Sequence, residues 1–214
     1  MQHPEVTVID YGMGNLLSVR WALEHCGARV NVTSDPNEIL KASRVVLPGV
    51  GSFPDGMAEL HRRGLVHVIH EVVSRGLPLL GICLGMQMLF DGSEEFGVTK
   101  GLGLIPGRVV PIPLTTADGQ RQKIPHIGWN TLVFPFGRND WHGALLDQVP
   151  KDEAVYFVHS FMAIPLVPSH RVANCIYGGI EVAAVVGRDN VFGCQFHPEK
   201  SGNTGLNILR RFLI

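Results

Sequence analysis

The sequence has few charged and few aromatic residues, which make up 17% and 7% of its 214 positions. Its formal net charge is -1, and it contains no long block of lysine or arginine. This composition excludes the basic footprint of a nucleic-acid-binding protein. Nor does any apolar stretch approach the roughly 20 residues of a membrane span. The opening segment MQHPEVTVID lacks the basic start and the apolar core of a secretion signal, so we expect a cytoplasmic chain without membrane contact.

Cysteine is also scarce, and its spacing argues against structural roles for the thiols. A disulfide framework or a zinc site has little support because no CxxC pair is present, so we expect free thiols. The four positions are Cys26, Cys83, Cys175 and Cys194.

Metal and nucleotide motifs are incomplete. Three histidines on one helical stretch, His61, His67 and His70, lack a carboxylate or thiol partner in register, so we expect no metal site. The segment GMGN would need a glycine at position 17 to form a dinucleotide-binding loop, but Leu17 stands there. We therefore expect no cofactor.

The first half of the chain alternates apolar β-type runs with helical patterns. The runs VTVID (6–10), ARVNVT (28–33), RVVLPG (44–49) and PLLGIC (78–83) are separated by amphipathic segments, the first predicted from about Asn15 to His25. This alternation is typical of βαβ units around a parallel sheet. The third and fourth runs are apolar throughout, which predicts strands covered by helices on both faces.

After Phe90 the pattern changes to glycine, proline and short β-rich runs, followed by a final helical segment, TGLNILRRFLI (204–214). We expect antiparallel hairpins that complete a mixed sheet. No internal repeat or long linker divides the chain, so we expect one domain over residues 1–214.

Cys83 lies in GICLG, where an apolar strand pattern gives way to a helical one. This G-x-C-x-G arrangement is the thiol counterpart of the nucleophile elbow. Its two glycines permit a sharp turn that exposes the central side chain, and the N–H groups of a helix beginning at Leu84 would favour the thiolate. A buried cysteine that only packs is the alternative reading of this pattern.

A matching base is predicted in FHPEKS (196–201). Pro198 ends a β-run and places His197 at the end of a strand, with Glu199 two residues later. A carboxylate at this position can fix the tautomer and orientation of the imidazole. Cys83, His197 and Glu199 are therefore the predicted catalytic residues, as nucleophile, base and orienting group.

The motifs GICLGMQ (81–87), FHPEKS and LPGVGSF (47–53) together resemble the class I glutamine amidotransferases, and the resemblance extends over nearly the whole chain. It implies a three-layer, flavodoxin-like α/β fold with a mixed, mainly parallel central sheet and an antiparallel extension. It also implies that glutamine is the substrate and is hydrolysed to glutamate and ammonia through a cysteine thioester.

Further roles follow from this resemblance. It implies an oxyanion hole formed by backbone N–H groups near Val50, Gly51 and Leu84. It also implies glutamine contacts at Gln87, Glu95, Ser160 and Phe161, although the neighbouring Glu94 remains an alternative to Glu95.

The segments IDYGMGNL (9–16), PHIGWN (125–130) and YFVHSF (156–161) resemble one group within the family, whose members deliver ammonia to a (β/α)₈-barrel cyclase subunit in histidine biosynthesis. The resemblance implies a heterodimer with such a subunit. The alternatives are the amidotransferase subunit of another synthase, such as one making anthranilate or pyridoxal phosphate, and a non-catalytic binding module. The implied interface residues are Met13, Asn15, Trp129, Asn130, Tyr156, His159 and Lys200.

Overall fold

The computed structural model describes residues 3–141 and 144–214. Its strands, numbered in chain order, are β1 (Glu5–Ile9), β2 (Arg29–Thr33), β3 (Val45–Gly49), β4 (Leu79–Cys83), β5 (Phe90–Ser93), β6 (Thr99–Lys100), β7 (Ile105–Pro111), β8 (His126–Thr131), β9 (Ala154–His159), β10 (Phe161–Pro165), β11 (Arg171–Tyr177), β12 (Ile180–Arg188) and β13 (Val191–Cys194). The helices are α1 (Leu16–His25), α2 (Pro36–Ile39), α3 (Phe53–Arg62), α4 (Leu65–Ser74), α5 (Leu84–Met88) and α6 (Gly202–Phe212).

A seven-stranded sheet forms the centre of the molecule, in the order β11-β12-β13-β4-β3-β1-β2. Its last five strands are parallel, while β11 and β12 extend it antiparallel at one end. This arrangement confirms the predicted mixed, mainly parallel sheet. Every residue of β3 and β4 is buried, as expected for strands that helices cover on both faces.

Helices cover the two faces of this sheet and give the fold three layers. The alternating side chains of β3 show why, since Val46 packs in one apolar cluster with α1 and α6, whereas Val45 and Leu47 pack in a second cluster with α2, α3, α4 and α5. Successive residues of a strand point to opposite faces, so an all-apolar strand must be covered twice.

The hairpins of the second half do not all join the central sheet, and the expectation that they would was wrong for β7, β8, β9 and β10. A four-stranded sheet has the order β10-β7-β5-β6, and β8 pairs only with β9 in a third sheet. The physical reason is that a strand has two hydrogen-bonding edges. Since β13 pairs with both β4 and β12, it leaves no edge for the remaining hairpins between them.

Within the two described ranges, no helix is both long enough and apolar enough to cross a membrane. The arrangement of β3, β4 and β13 is what matters for the site, because these adjacent parallel strands bring their carboxyl ends to one edge of the sheet.

Candidate active site

Cys83 ends β4 in a backbone conformation that L-residues seldom adopt, with φ 55° and ψ −110°. The chain turns directly into α5, and the two flanking glycines are required by contact. A Cβ atom on Gly81 would lie 2.7 Å from the backbone of Gly85, and a Cβ on Gly85 would lie within van der Waals overlap of the Leu47 carbonyl. The strained turn is therefore held by close backbone packing, as in a nucleophile elbow.

His197 reaches the same edge of the sheet because β13 pairs in parallel with β4. Two hydrogen bonds fix the backbone of His197. Its N–H donates to the carbonyl of Tyr156 at 3.0 Å, and its carbonyl accepts from the Ser201 hydroxyl at 2.6 Å. The same hydroxyl oxygen accepts from the N–H of Tyr156. His197 is thus tied to β9 as well as to the central sheet.

The imidazole of His197 is paired with Glu199. Its Nδ1 lies 2.7 Å from Glu199 Oε1, and the two side chains are only 4% and 1% exposed. Burial by itself would lower the pKa of His197, but hydrogen bonds and attraction from Cys83 and Glu199 outweigh it and raise that pKa to about 10. At neutral pH the imidazole is therefore protonated and can donate a proton to a group bound at the sulfur of Cys83.

A cavity of about 400 Å³ opens beside these groups. This volume suits a small polar substrate such as a free amino acid. Its wall contains two of the three predicted catalytic residues and all the predicted oxyanion and glutamine contacts, together with Lys200. The lining residues are Val50, Gly51, Cys83, Leu84, Gln87, Glu95, Pro125, Val158, His159, Ser160, Phe161, His197 and Lys200.

Gln195 is a residue at this site that the sequence analysis missed. It is fully buried, its Oε1 accepts a hydrogen bond from Gln87 Nε2 at 3.0 Å, and its Nε2 lies 3.8 Å from the sulfur of Cys83. The signal in the sequence was an amide inside the apolar run VFGCQF, since a buried amide needs hydrogen-bond partners.

Glu95 and Glu94, which the sequence could not separate, lie in different places. Glu95 lines the cavity, and its Oε2 accepts the N–H of Phe53 at 2.7 Å. Glu94 is exposed and lies 3.4 Å from the guanidinium of Arg108. Of these two carboxylates, that of Glu95 is the one at the cavity wall.

Val50 and Gly51, which follow β3, line the cavity together with Cys83. Gly51 has φ +103°, a conformation that favours glycine, and Val50 is 43% exposed. The hydroxyl of Tyr11 lies close to Gly49 and has no hydrogen-bond partner in the described part of the chain. Burial raises the pKa of Tyr11, and negative charge at Cys83 raises it further, so the phenol remains neutral. Tyr11, like Gln195, was not predicted from the sequence.

The residues expected at an interface differ in their positions, since His159 and Lys200 line the cavity and the other five do not. The rings of Trp129 and Tyr156, opposite each other on β8 and β9, are 6.1 Å apart, and Trp129 is 59% exposed. Lys200 is exposed, whereas Met13, Asn15, Asn130 and Tyr156 are partly buried. Asn15 also caps α1, where its Oδ1 accepts the N–H of Ser18. His159 differs from the rest, because it is only 6% exposed and pairs with His126 beneath the surface.

The other thiols do not line the cavity. Cys175 and Cys194 are fully buried, and burial raises the pKa of Cys175 to about 12. Among the described residues, no group of three or more histidine, cysteine, aspartate or glutamate side chains is arranged to hold a metal ion.

Comparison with known proteins places the chain in a family. The family model described as glutamine amidotransferase class-I matches residues 7–214. A protein of Legionella pneumophila (strain Lens) named imidazole glycerol phosphate synthase subunit HisH 1 is 51% identical over 208 residues, covering 97% of this chain and 98% of the relative. A protein of Moorella thermoacetica named imidazole glycerol phosphate synthase subunit HisH is 48% identical, covering 97% of this chain and 93% of the relative.

Solved structures share the fold. A structure titled "Structure of PurLQS from Thermotoga maritima" superposes with a TM-score of 0.70 at 20% identity, and covers 99% of this chain and 98% of its own. At this identity the similarity concerns the fold alone. The family model and the two relatives carry the assignment further, and the chain belongs to the class I glutamine amidotransferase family.

Proposed function

We propose that this chain is the glutaminase subunit of imidazole glycerol phosphate synthase, acting as one amidotransferase domain in histidine biosynthesis. The observation that carries the proposal is the 51% identity to a relative of that name, over 98% of its length. The geometry of the elbow, the His197–Glu199 pair and the cavity supports the same reaction.

In the proposed reaction, the Cys83 thiolate attacks the side-chain carbonyl carbon of glutamine and forms a tetrahedral intermediate. The carbon–nitrogen bond then breaks, the nitrogen takes the proton held by His197 and leaves as ammonia, and a γ-glutamyl thioester remains on Cys83. Glu199 stabilises the protonated imidazole before this transfer. One difficult amide cleavage is thereby divided into two easier steps.

Hydrolysis of the thioester completes the cycle. His197, now neutral, accepts a proton from water as the water oxygen attacks the thioester carbon, and the carbon–sulfur bond breaks to give glutamate and the Cys83 thiolate. Both tetrahedral intermediates carry an oxyanion, for which we propose backbone N–H donors at Leu84 and at the segment of Val50 and Gly51. Loss of one such donor typically costs on the order of a hundred- to a thousandfold in rate.

Ammonia released into water is protonated and loses its nucleophilicity, so we propose that a (β/α)₈-barrel cyclase subunit receives it directly. With ammonia, that subunit would form imidazole glycerol phosphate and an aminoimidazole carboxamide ribonucleotide. Exposed Trp129, stacked edge-on against Tyr156, supports a partner surface beside the cavity, because large amphipathic rings are frequent interface anchors. Tyr156 also carries the carbonyl that holds the His197 backbone.

The proposal is tested by measuring glutamate release from glutamine with the chain alone, with the cyclase subunit, and with the cyclase subunit and its nucleotide ligand. We expect slow turnover by the chain alone and strong activation by the ligand-loaded partner, because the backbone at Val50 and Gly51 must present its donors. Equal rates in all three conditions would reject this coupling. Activation by the partner of another synthase, but not by this cyclase, would reject the assigned pathway.

A further inference from the structure

Two buried histidines lie side by side at the cavity, where His159 forms part of the wall and His126 packs next to it. His126 and His159 are direct cross-strand partners on β8 and β9, and they are 3% and 6% exposed. His126 Nδ1 lies 3.0 Å from His159 Nε2. The His126 ring is stacked on Phe157 and on Tyr177, with centroid distances of 4.9 and 4.0 Å, so packing holds its plane.

Both imidazoles are neutral at physiological pH. Burial lowers the pKa of His126 to about 4. Burial also lowers the pKa of His159 to about 4, although the hydrogen bond to the Phe161 carbonyl opposes this shift. A neutral imidazole has one nitrogen that donates and one that accepts, so the neighbours of each ring determine its tautomer.

The contacts of the pair admit one assignment of protons. His159 Nδ1 lies 2.8 Å from the carbonyl oxygen of Phe161, which can only accept, so Nδ1 carries the hydrogen and Nε2 is the acceptor. His126 must therefore donate from Nδ1, which leaves its Nε2 as an acceptor. That nitrogen faces Asn130 Nδ2 at 3.4 Å, and the amide orientation agrees because Asn130 Oδ1 accepts the N–H of Thr131.

The hydrogen bonds thus run in one direction, from Asn130 through His126 and His159 to the carbonyl of Phe161. This carbonyl has a second donor, Gln87 Nε2 at 3.1 Å. Phe161 and Gln87 both line the cavity that contains Cys83. The chain of histidines therefore ends on two groups that a ligand in the cavity would meet.

We propose that His126 and His159 are positioning residues for glutamine, whose fixed tautomers hold the Phe161 carbonyl and, through it, the Gln87 side chain at the cavity wall. The inference depends on the proposed function for the identity of the substrate. Displacement of the Phe161 carbonyl and the Gln87 side chain would weaken binding of glutamine more than it slows the reaction of bound glutamine. The reason is that neither histidine acts on the reacting atoms in the proposed mechanism.

Two substitutions of His159 separate this role from simple packing. Asparagine can place an N–H near the position of Nδ1 and retain the bond to Phe161, whereas leucine fills part of the space without a donor. We expect His159→Leu to raise KM for glutamine roughly tenfold, with kcat reduced less, because the Phe161 carbonyl loses one of its two donors and the buried Nδ1–H of His126 loses its acceptor. His159→Asn should recover most of the affinity. His70→Asn, on the exposed surface of α4, is the matched control.

The assay uses glutamate release by the activated complex with the cyclase subunit, and thermal unfolding of each variant. A KM that is equal in His159→Leu and His159→Asn, with only the unfolding temperature changed, would show a packing role and overturn the proposal. Nitrogen NMR of the unsubstituted chain gives a second readout, and a hydrogen on Nε2 of either histidine would also overturn it. Absence of glutamine hydrolysis by the unsubstituted complex would instead reject the proposed function, while the NMR result would still decide the tautomers.

Discussion

The Nδ1 atom of His197 lies 2.7 Å from a carboxylate oxygen of Glu199, although only Pro198 separates the two residues along the chain. The proline begins a short 3₁₀ turn at Pro198–Lys200, which brings the carboxylate back toward the ring. The other oxygen of Glu199 is buried without a hydrogen-bond partner in the described ranges. The protonated imidazole thus balances the negative charge of this buried carboxylate.

Replacing Glu199 with glutamine should lower kcat for glutamine hydrolysis by on the order of a hundredfold, because the amide stabilises a protonated His197 poorly. The pKa of His197, about 10 in the intact site, should fall in this variant, so activity should begin to decline at a lower pH on the alkaline side. A pH profile of kcat in the activated complex measures both effects. An unchanged profile would exclude the proposed role of Glu199.

The Cys83→Ala variant should lose glutamine hydrolysis while it keeps its fold and its binding to the cyclase subunit. Its complex should still make product from ammonium salts, because the proposed function assigns the chemistry of the acceptor to the other subunit. Glutamate release and ammonia-dependent synthesis, measured on the same preparation, separate the two activities. Persistent glutaminase activity would contradict the role of the thiol, and loss of both activities would contradict the division between subunits.

Glu95→Gln should raise KM for glutamine roughly thirtyfold or more, the lower end of the cost of removing one partner from a desolvated charge pair, about 2 kcal/mol. The reason is that Glu95, unlike Glu94, lines the cavity, where its carboxylate suits the α-ammonium group of the substrate. Glu94→Gln is the matched control, since Glu94 is exposed beside Arg108 and should leave KM unchanged. The reverse pattern would assign the contact to Glu94.

An electrophile that resembles glutamine should label Cys83 alone among the four cysteines. Cys175 and Cys194 are buried, and burial raises the pKa of each thiol, so little thiolate is present for attack. Burial also raises the pKa of the partly exposed Cys26. Mass spectrometry of partially labelled protein gives the rate at each site. Labelling of Cys194 as fast as Cys83 would show that the elbow does not determine reactivity.

Acid should destabilise the fold between pH 6.5 and pH 4. The pKa values of His126 and His159 are about 4 in the folded chain, below the ordinary value of 6.5, so the unfolded state binds more protons in this window. Their contribution is present above pH 6.5 and is lost as pH falls, by up to about 1.4 kcal/mol per pH unit for each proton. Denaturant unfolding at pH 7 and pH 5 measures the loss.

The matched variants for this pH dependence are His126→Phe, which keeps a ring between Phe157 and Tyr177, and His70→Gln on the exposed face of α4. The first should reduce the loss of stability between pH 7 and pH 5, and the second should not. An equal loss in both variants and in the unsubstituted chain would show that other groups control acid unfolding.

Local sequence patterns predicted the central strands and the elbow because their causes are local. The apolar runs that became β3 and β4 have to be covered on both faces, and Gly81 and Gly85 flank Cys83, where the chain turns sharply from strand to helix. The partition of the later hairpins into separate sheets was not predictable in this way. It depends on which strand edges are already occupied, and that is a property of the assembled sheet.

The same distinction applies to the site. The FHPEK motif predicted a histidine beside a carboxylate because the two are neighbours in the chain. Gln195 and the His126–His159 pair were missed because their partners come from distant segments. The cross-strand pairing with β8 buries the ring of His159, and its role at a partner surface stays a prediction.

The position of β13 between β4 and β12 also sets the order in which reactivity can arise during biosynthesis. The ribosome completes Cys83 long before it adds His197, and contacts between such distant segments form late because closing a long loop costs conformational entropy. Until β13 enters the sheet, the thiol has neither its proton donor nor Gln195 beside it. A nascent or truncated chain ending before β13 should therefore carry an ordinary, weakly reactive cysteine, and the onset of rapid labelling during refolding would mark the insertion of that last strand.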